Sequence, residues 1–219
     1  MESGKPSQPA KSILKSYYVT DRNRLRSGDL ISAIGQAIVA GVDMIQIREK
    51  DLSCRVLEEL AVRAVELARQ SGRTEILVND RLDVALATGA AGVHLPATGL
   101  PVEAVKRVVY NRGARLLIGV STHTLEEAQL AARAGADYLI FGPVFETASK
   151  PGQPATGLDT LARVTRSVHV PVFAIGGISP ERVDRLAGTG VAGIAGISVF
   201  LQEESTRALL TRLQRLDKM

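Results

Sequence analysis

The sequence predicts an α/β chain folded as a single-domain (β/α)8 TIM barrel. Two positive observations and one absence carry this prediction. Short β-branched runs alternate with longer segments of helical periodicity, giving eight strand candidates at roughly 25–30 residues per unit, the count and size of this barrel near its lower length limit. Polar residues collect directly after nearly every strand candidate, where such a barrel carries its chemistry. A doubly wound sheet shares the alternation, but its usual GxGxxG turn after the first strand is absent: "YYVTDRNRL" holds no glycine, and the next one is Gly28.

Taken in order, strands are expected at 17–20, 44–48, 75–79, 92–95, 116–121, 138–142, 171–176 and 193–198. Helices are expected at 29–40, 53–71, 101–110, 124–134, 157–167, 179–187 and 203–217. Within 53–71, Leu57, Leu60, Ala61, Ala64, Leu67 and Ala68 recur at three- and four-residue steps and define one apolar face. Thr124 followed three residues later by Glu127 predicts a capping box. Glycine-bearing pieces such as "AGVD" and "AGADY" sit just before strands, where glycine ends a helix and turns the chain. With 219 residues and 45% hydrophobic content, the barrel is expected to occupy 16–219 as one core. The polar start "MESGKPSQPAKS" has two prolines and no apolar run, so 1–15 reads as a disordered tail, not a signal peptide.

Composition narrows the partners. No apolar run approaches the ~18 residues of a membrane span. The single cysteine, Cys54, permits no intrachain disulfide and suits a reducing cytoplasm; without a neighbouring His or Cys it reads as an ordinary small residue. A net charge of +4 permits anionic ligands, but 4% aromatics and the lack of a dense basic run argue against nucleic acid. Small-molecule substrates are therefore expected, with neither nucleic acid nor membrane as partner and with a homo-oligomer left open.

Two subsites separate by chemistry at the strand ends. Glycines after the seventh strand (Gly176, Gly177) and bare backbone after the eighth (Ile197, Ser198) match the phosphate cradle common to this fold. Arg48, Lys50 and Lys150 form a cationic set, with Asn79, Thr147 and Ser149 as neutral donors. Three cations and one carboxylate, Asp80, suit a diphosphate held by side chains and one Mg2+, a hard ion that prefers carboxylate, phosphate and water oxygens.

The segments "IQIREKD", "VNDRLDVAL", "GVHL", "IGVSTHT", "FGPVFETASKPG", "FAIGGI" and "AGIS" together resemble the thiamine phosphate synthase family and its relatives, the thiazole tautomerases, from Tyr17 onward. The resemblance implies a Mg2+-dependent transferase of thiamine biosynthesis that joins a hydroxymethylpyrimidine diphosphate to a thiazole phosphate. In that family the diphosphate leaves first and the thiazole nitrogen captures a pyrimidine-methyl cation. Carried over by position, Gln46 would face the pyrimidine, and Arg48, Lys50, Asn79 and Lys150 the diphosphate. Asp80 would hold Mg2+, and Ser121 would sit near the reacting carbon. Thr147 and Ser149 would lie on the thiazole side, with Gly177, Ile197 and Ser198 binding its phosphate through backbone. Lys150 would stabilise the charge developing on the leaving group, and the Pro151–Gly152 loop would close over ligand.

The chain departs from that pattern in one place. "HLPATG" puts Gly99 where the synthase pattern has a second metal-binding aspartate, and Glu103 is the next acid along. His123 matches the position at which the tautomerase branch moves a proton on a thiazole carboxylate phosphate, the alternative reading. Lys50, Asp80, Ser149 and Lys150 are all retained, which favours the synthase, because a tautomerase has no diphosphate to hold.

Overall fold

The computed structural model describes residues 15–25, 29–147, 152 and 154–216. Eight parallel strands run β1 (Lys15–Val19), β2 (Met44–Ile47), β3 (Glu75–Asn79), β4 (Gly92–Leu95), β5 (Leu117–Thr122), β6 (Tyr138–Phe141), β7 (Val172–Ile175) and β8 (Gly193–Gly196). Each pairs with the next, and β8 closes on β1 in a register from Lys15↔Gly193 to Tyr18↔Gly196. Strand pairing thus begins at Lys15, the final residue of the expected tail; residues 1–14 lie outside the described residues.

Outside the barrel pack α1 (Leu30–Ala40), α2 (Cys54–Ser71), α3 (Leu82–Thr88), α4 (Val102–Asn111), α5 (Leu125–Ala134), α6 (Gly157–Ser167) and α7 (Glu203–Leu216). The sequence reading missed α3, whose seven residues are too few to show a helical period and whose N-cap, Arg81, makes no side-chain cap bond. The expected helix at 179–187 is instead a 3-10 segment, Pro180–Leu186. It is short, opens on proline and is bounded by glycines, conditions in which the tighter helix is used.

Helix starts follow side-chain chemistry. Asp29 accepts from the Ser32 amide at 2.8 Å, Ser53 from Val56 at 3.4 Å and Thr124 from Glu127 at 3.1 Å. The reciprocal half of the expected capping box is displaced by one residue: Glu127 Oε2 accepts from the His123 amide at 2.6 Å, not from Thr124.

The period of two along each strand divides the core into two layers. Outward-facing residues such as Tyr18, Ile45, Ile47, Val78 and Val93 pack against the helices. Inward-facing Tyr17, Val19, Met44, Leu77, Tyr138, Ile140, Phe173 and Ala195 fill the barrel. The inner aromatics need small partners. A Cβ on Gly119 would collide with the Tyr138 ring, and one on Gly193 would stand 2.8 Å from Phe173 Cε1. Large side chains on β6 and β7 therefore occupy space vacated by glycines on β5 and β8 and, with Tyr17, plug the barrel beneath its C-terminal mouth.

Candidate active site

Above that plug, the inward positions turn polar and open into a cavity of about 700 Å³. Its floor carries Gln46, His94 and Ser121 from β2, β4 and β5, with Val19, Ile140 and Ile175 as apolar walls. The alternation that faces Gln46 inward continues past the end of β2 to Arg48 and Lys50, which also line the cavity. The intervening Glu49 faces the other way and is 5% exposed. It accepts from Thr20 Oγ1 at 2.7 Å, from the Arg22 amide at 3.2 Å and from Arg22 Nη1 at 3.1 Å. Thr20 Oγ1 in turn accepts from the Arg48 amide at 2.9 Å. The charged run "REK" is thus two cavity cations separated by a buried carboxylate that ties the β2 end to the β1 loop.

Asn79 and Thr147 line the same cavity, and so do Gly177, Ile197 and Ser198. Gly176 and Gly177 have φ of 98° and 63°, a region open to glycine at little cost. A Cβ on Gly176 would stand 2.5 Å from Pro143 Cβ; one on Gly177 would collide with the Glu146 carbonyl and stand 2.8 Å from Phe145 Cβ. Close packing on the β6 loop therefore requires these glycines as strongly as any ligand would. Arg182 Nη1 donates to the Gly177 carbonyl at 2.9 Å.

His123 lines the cavity with its ring fixed at one end. Its Nδ1 lies 2.5 Å from the Gly142 carbonyl, which can only accept, so Nδ1 carries the proton. In its neutral form the ring then has its lone pair on Nε2.

Asp80 is exposed, has φ of 62° and is not among the cavity-lining residues. Gly99 comes close to it: a Cβ there would stand 3.0 Å from Asp80 Oδ1 and 2.9 Å from Pro96 Cδ. The position where the resemblance expects a second aspartate therefore abuts the first in space, and it is glycine here. Among the described residues no group of three or more His, Cys, Asp or Glu is arranged to hold a metal. Asp80 alone would suit an Mg2+ only if a bound ligand and water supplied the other oxygens, and the carboxylate that lines the cavity itself is Asp21. Ser149 and Lys150 lie outside the described residues.

Arg24 and His94 are among the cavity residues that escaped the sequence reading. Arg24 reaches the mouth from the β1 loop, with no motif to announce it. His94 stood inside the quoted "GVHL" without a role. It is 2% exposed, and burial, aided by the Arg48 charge, pushes its pKa down to about 3, so the ring is neutral. Its Nε2 lies 2.8 Å from Ser121 Oγ and its Nδ1 lies 3.2 Å from Tyr138 Oη.

Comparison with known proteins agrees with this geometry. Residues 16–200 match the family model described as thiamine monophosphate synthase. A putative thiamine-phosphate synthase of Geobacter sulfurreducens is 41% identical over 210 residues, covering 93% of this chain and 96% of the relative. The thiamine-phosphate synthase of Clostridium tetani is 37% identical over 191 residues, covering 87% and 90%. Among solved structures, thiamine phosphate pyrophosphorylase from Pyrococcus furiosus superposes with a TM-score of 0.83 at 35% identity, covering 94% of this chain and 98% of that one. The chain belongs to the thiamine monophosphate synthase family.

Proposed function

We propose that the protein is a thiamine phosphate synthase, joining hydroxymethylpyrimidine diphosphate to a thiazole phosphate with release of diphosphate. The observation that carries this reading is that Arg48, Lys50 and Asn79 line one cavity together with Gly177 and Ser198. Such a cavity suits two anionic substrates whose reacting ends meet over Gln46 and Ser121. A volume of about 700 Å³ lies in the range of small-molecule sites.

In the proposed reaction the bond between the pyrimidine methylene carbon and the bridging oxygen breaks, and its electron pair leaves with the diphosphate. The thiazole nitrogen lone pair then forms the new C–N bond. No proton has to move for that bond to form. The chain's task is to hold both substrates in line and to stabilise charge on the leaving oxygens, the work of preorganised cations and amides. Arg48 and Lys50 are the proposed partners of the diphosphate, joined by Lys150; Thr147 and Ser149 orient the thiazole. Mg2+, held by Asp80 together with the diphosphate, would neutralise part of the leaving group's charge. Every proposed contact comes from one chain, so the reading requires no second copy. No helix among the described residues is long and apolar enough to cross a membrane, and a cytoplasmic location belongs to the proposal.

His123 supports one alternative. With Nδ1 anchored on Gly142 and Nε2 left as a base at the cavity, it has the form that a tautomerase of a thiazole carboxylate phosphate requires. One experiment separates the two: purified protein with Mg2+ and both substrates should form thiamine phosphate and diphosphate together. Isomerisation of the thiazole carboxylate phosphate, with no coupled product from the two-substrate mixture, would reverse the assignment.

A further inference from the structure

Beneath the cavity, five side chains from five strands are joined end to end. Gln46 Nε2 donates to Tyr17 Oη at 3.0 Å, Tyr17 Oη and Tyr138 Oη are 2.9 Å apart, and the path continues to His94 Nδ1 at 3.2 Å and from His94 Nε2 to Ser121 Oγ at 2.8 Å. Tyr17, Gln46, His94 and Tyr138 are each at most 3% exposed, so solvent is not a ready substitute for a missing partner. Each tyrosine has one proton and each neutral imidazole one donor and one acceptor, which makes the direction of the chain a solvable problem.

Gln46 settles it. The Tyr17 oxygen already receives the amide proton, so its own proton goes to Tyr138; Tyr138 then gives its proton to His94 Nδ1, and the remaining imidazole proton, on Nε2, goes to Ser121. The opposite direction would direct donors onto Tyr17 from both sides and leave its hydroxyl proton with no acceptor among the described residues, an arrangement buried polar groups avoid. It becomes possible only if the Gln46 amide turns over, so that its carbonyl accepts from Tyr17. The two ends are therefore coupled. While Gln46 donates to Tyr17, its oxygen is left for the cavity, and Ser121, already accepting from His94, has its proton left for the cavity.

We propose that Gln46–Tyr17–Tyr138–His94–Ser121 is a directed hydrogen-bond relay that holds His94 as the neutral Nε2–H tautomer and makes Ser121 a hydrogen-bond donor to the ligand. His94 is then a positioning residue acting through Ser121, and it is not a base that activates the serine as a nucleophile. The ligand it selects donates a proton at the Gln46 end and presents a lone pair at the Ser121 end. The relay concerns the ligand-free protein, while the assignment of Ser121 to a catalytic step rests on the synthase reading.

The tautomer can be read directly, by nitrogen-15 NMR of ligand-free protein labelled at histidine and assigned with His94→Gln. A proton-bearing Nε2 and an unprotonated Nδ1 at neutral pH are expected. A proton on Nδ1, or on both nitrogens, overturns the relay. Tyr17→Phe leaves His94 Nδ1 to take the Tyr138 proton and should keep the Nε2–H tautomer; Gln46→Glu, whose carboxylate can only accept from Tyr17, should instead reverse the path to Nδ1–H, and an unchanged tautomer there would show that residue 46 does not set the direction. In turnover assays, His94→Leu should lower kcat about tenfold with little change in KM, and His94→Gln, which keeps an N–H donor, should recover part of the loss. In a Ser121→Ala background the same His94→Leu change should matter less than about twofold. Additive losses would place His94 outside any path through Ser121 and overturn its positioning role. An Nε2–H tautomer in a protein that makes no thiamine phosphate keeps the relay and removes the synthase reading; an Nδ1–H tautomer in an active synthase does the reverse.

Discussion

Glu49 offers the sharpest test of the site's architecture, because a charged run on the surface and a buried tie between two loops make opposite demands on it. Its side chain is 2% exposed and receives hydrogen bonds from Thr20 and from both the amide and the guanidinium of Arg22. The guanidinium contributes least, since Arg22 is 31% exposed and keeps a two-bond contact with Asp51. The shielded bond from Thr20 at 2.7 Å and the longer bond from the Arg22 amide at 3.2 Å are each charge-assisted, a class worth about 1.5–3 kcal/mol. Counting the second low, because water can reach a half-buried Arg22, Glu49→Ala should cost about 2–4 kcal/mol. For a chain of this length that is a fall in Tm of roughly 4–16 °C. Urea unfolding should show a lower midpoint with an unchanged slope. The loss should extend to activity, since Thr20 also accepts from the Arg48 amide and would relax once Glu49 is gone. A stability change within about 0.5 kcal/mol, as at an ordinary surface position, would refute the burial argument and with it the placement of Arg48 and Lys50 on a common inward face.

Three further outcomes are expected. Lys150→Ala should cost the coupling step about 2–4 kcal/mol while His123→Ala costs less; in a tautomerase the order reverses, with His123 worth roughly 10²–10⁴ in rate, so both variants are to be assayed in both reactions. Isothermal titration should find weak Mg2+ binding to the ligand-free protein and much stronger binding with diphosphate present, and Asp80→Asn should raise the Mg2+ concentration needed for turnover; tight binding without diphosphate would require a carboxylate other than Asp80. Gly177→Ala should raise KM for the thiazole phosphate by at least about tenfold, because the added Cβ meets the Glu146 backbone at a positive φ and the loop must move; unchanged kinetics would show that the Gly177 backbone does not hold that phosphate.

The barrel itself was legible in the sequence because its signals are local. The short apolar runs in "MIQIR" and "EILVN", the three- and four-residue steps of 53–71 and the cap at Thr124 all act within a few residues. The strands accordingly fall within about two residues of their expected bounds. Elements too short to show a period were misread: α3 was missed, and Pro180–Leu186 was taken for an α-helix. Most of the polar cavity was also visible, since strand ends carry it and strand ends can be located from patterns alone.

Tertiary structure decided which face each residue serves. In "REK" the sequence shows three charges in a row; only closure of the barrel sends Arg48 and Lys50 into the cavity and Glu49 beneath the β1 loop. The same closure leaves Asp80 outside the cavity lining, brings Gly99 against it and carries Arg24 to the mouth. His94 shows the limit most clearly. Its partners, Tyr138 and Ser121, lie 44 and 27 residues away, and the Tyr17–Tyr138 bond spans 121 residues. Periodicity reports which way a side chain points relative to its own strand. Which hydroxyl it meets, and therefore which nitrogen holds its proton, is determined only when eight strands close into one ring.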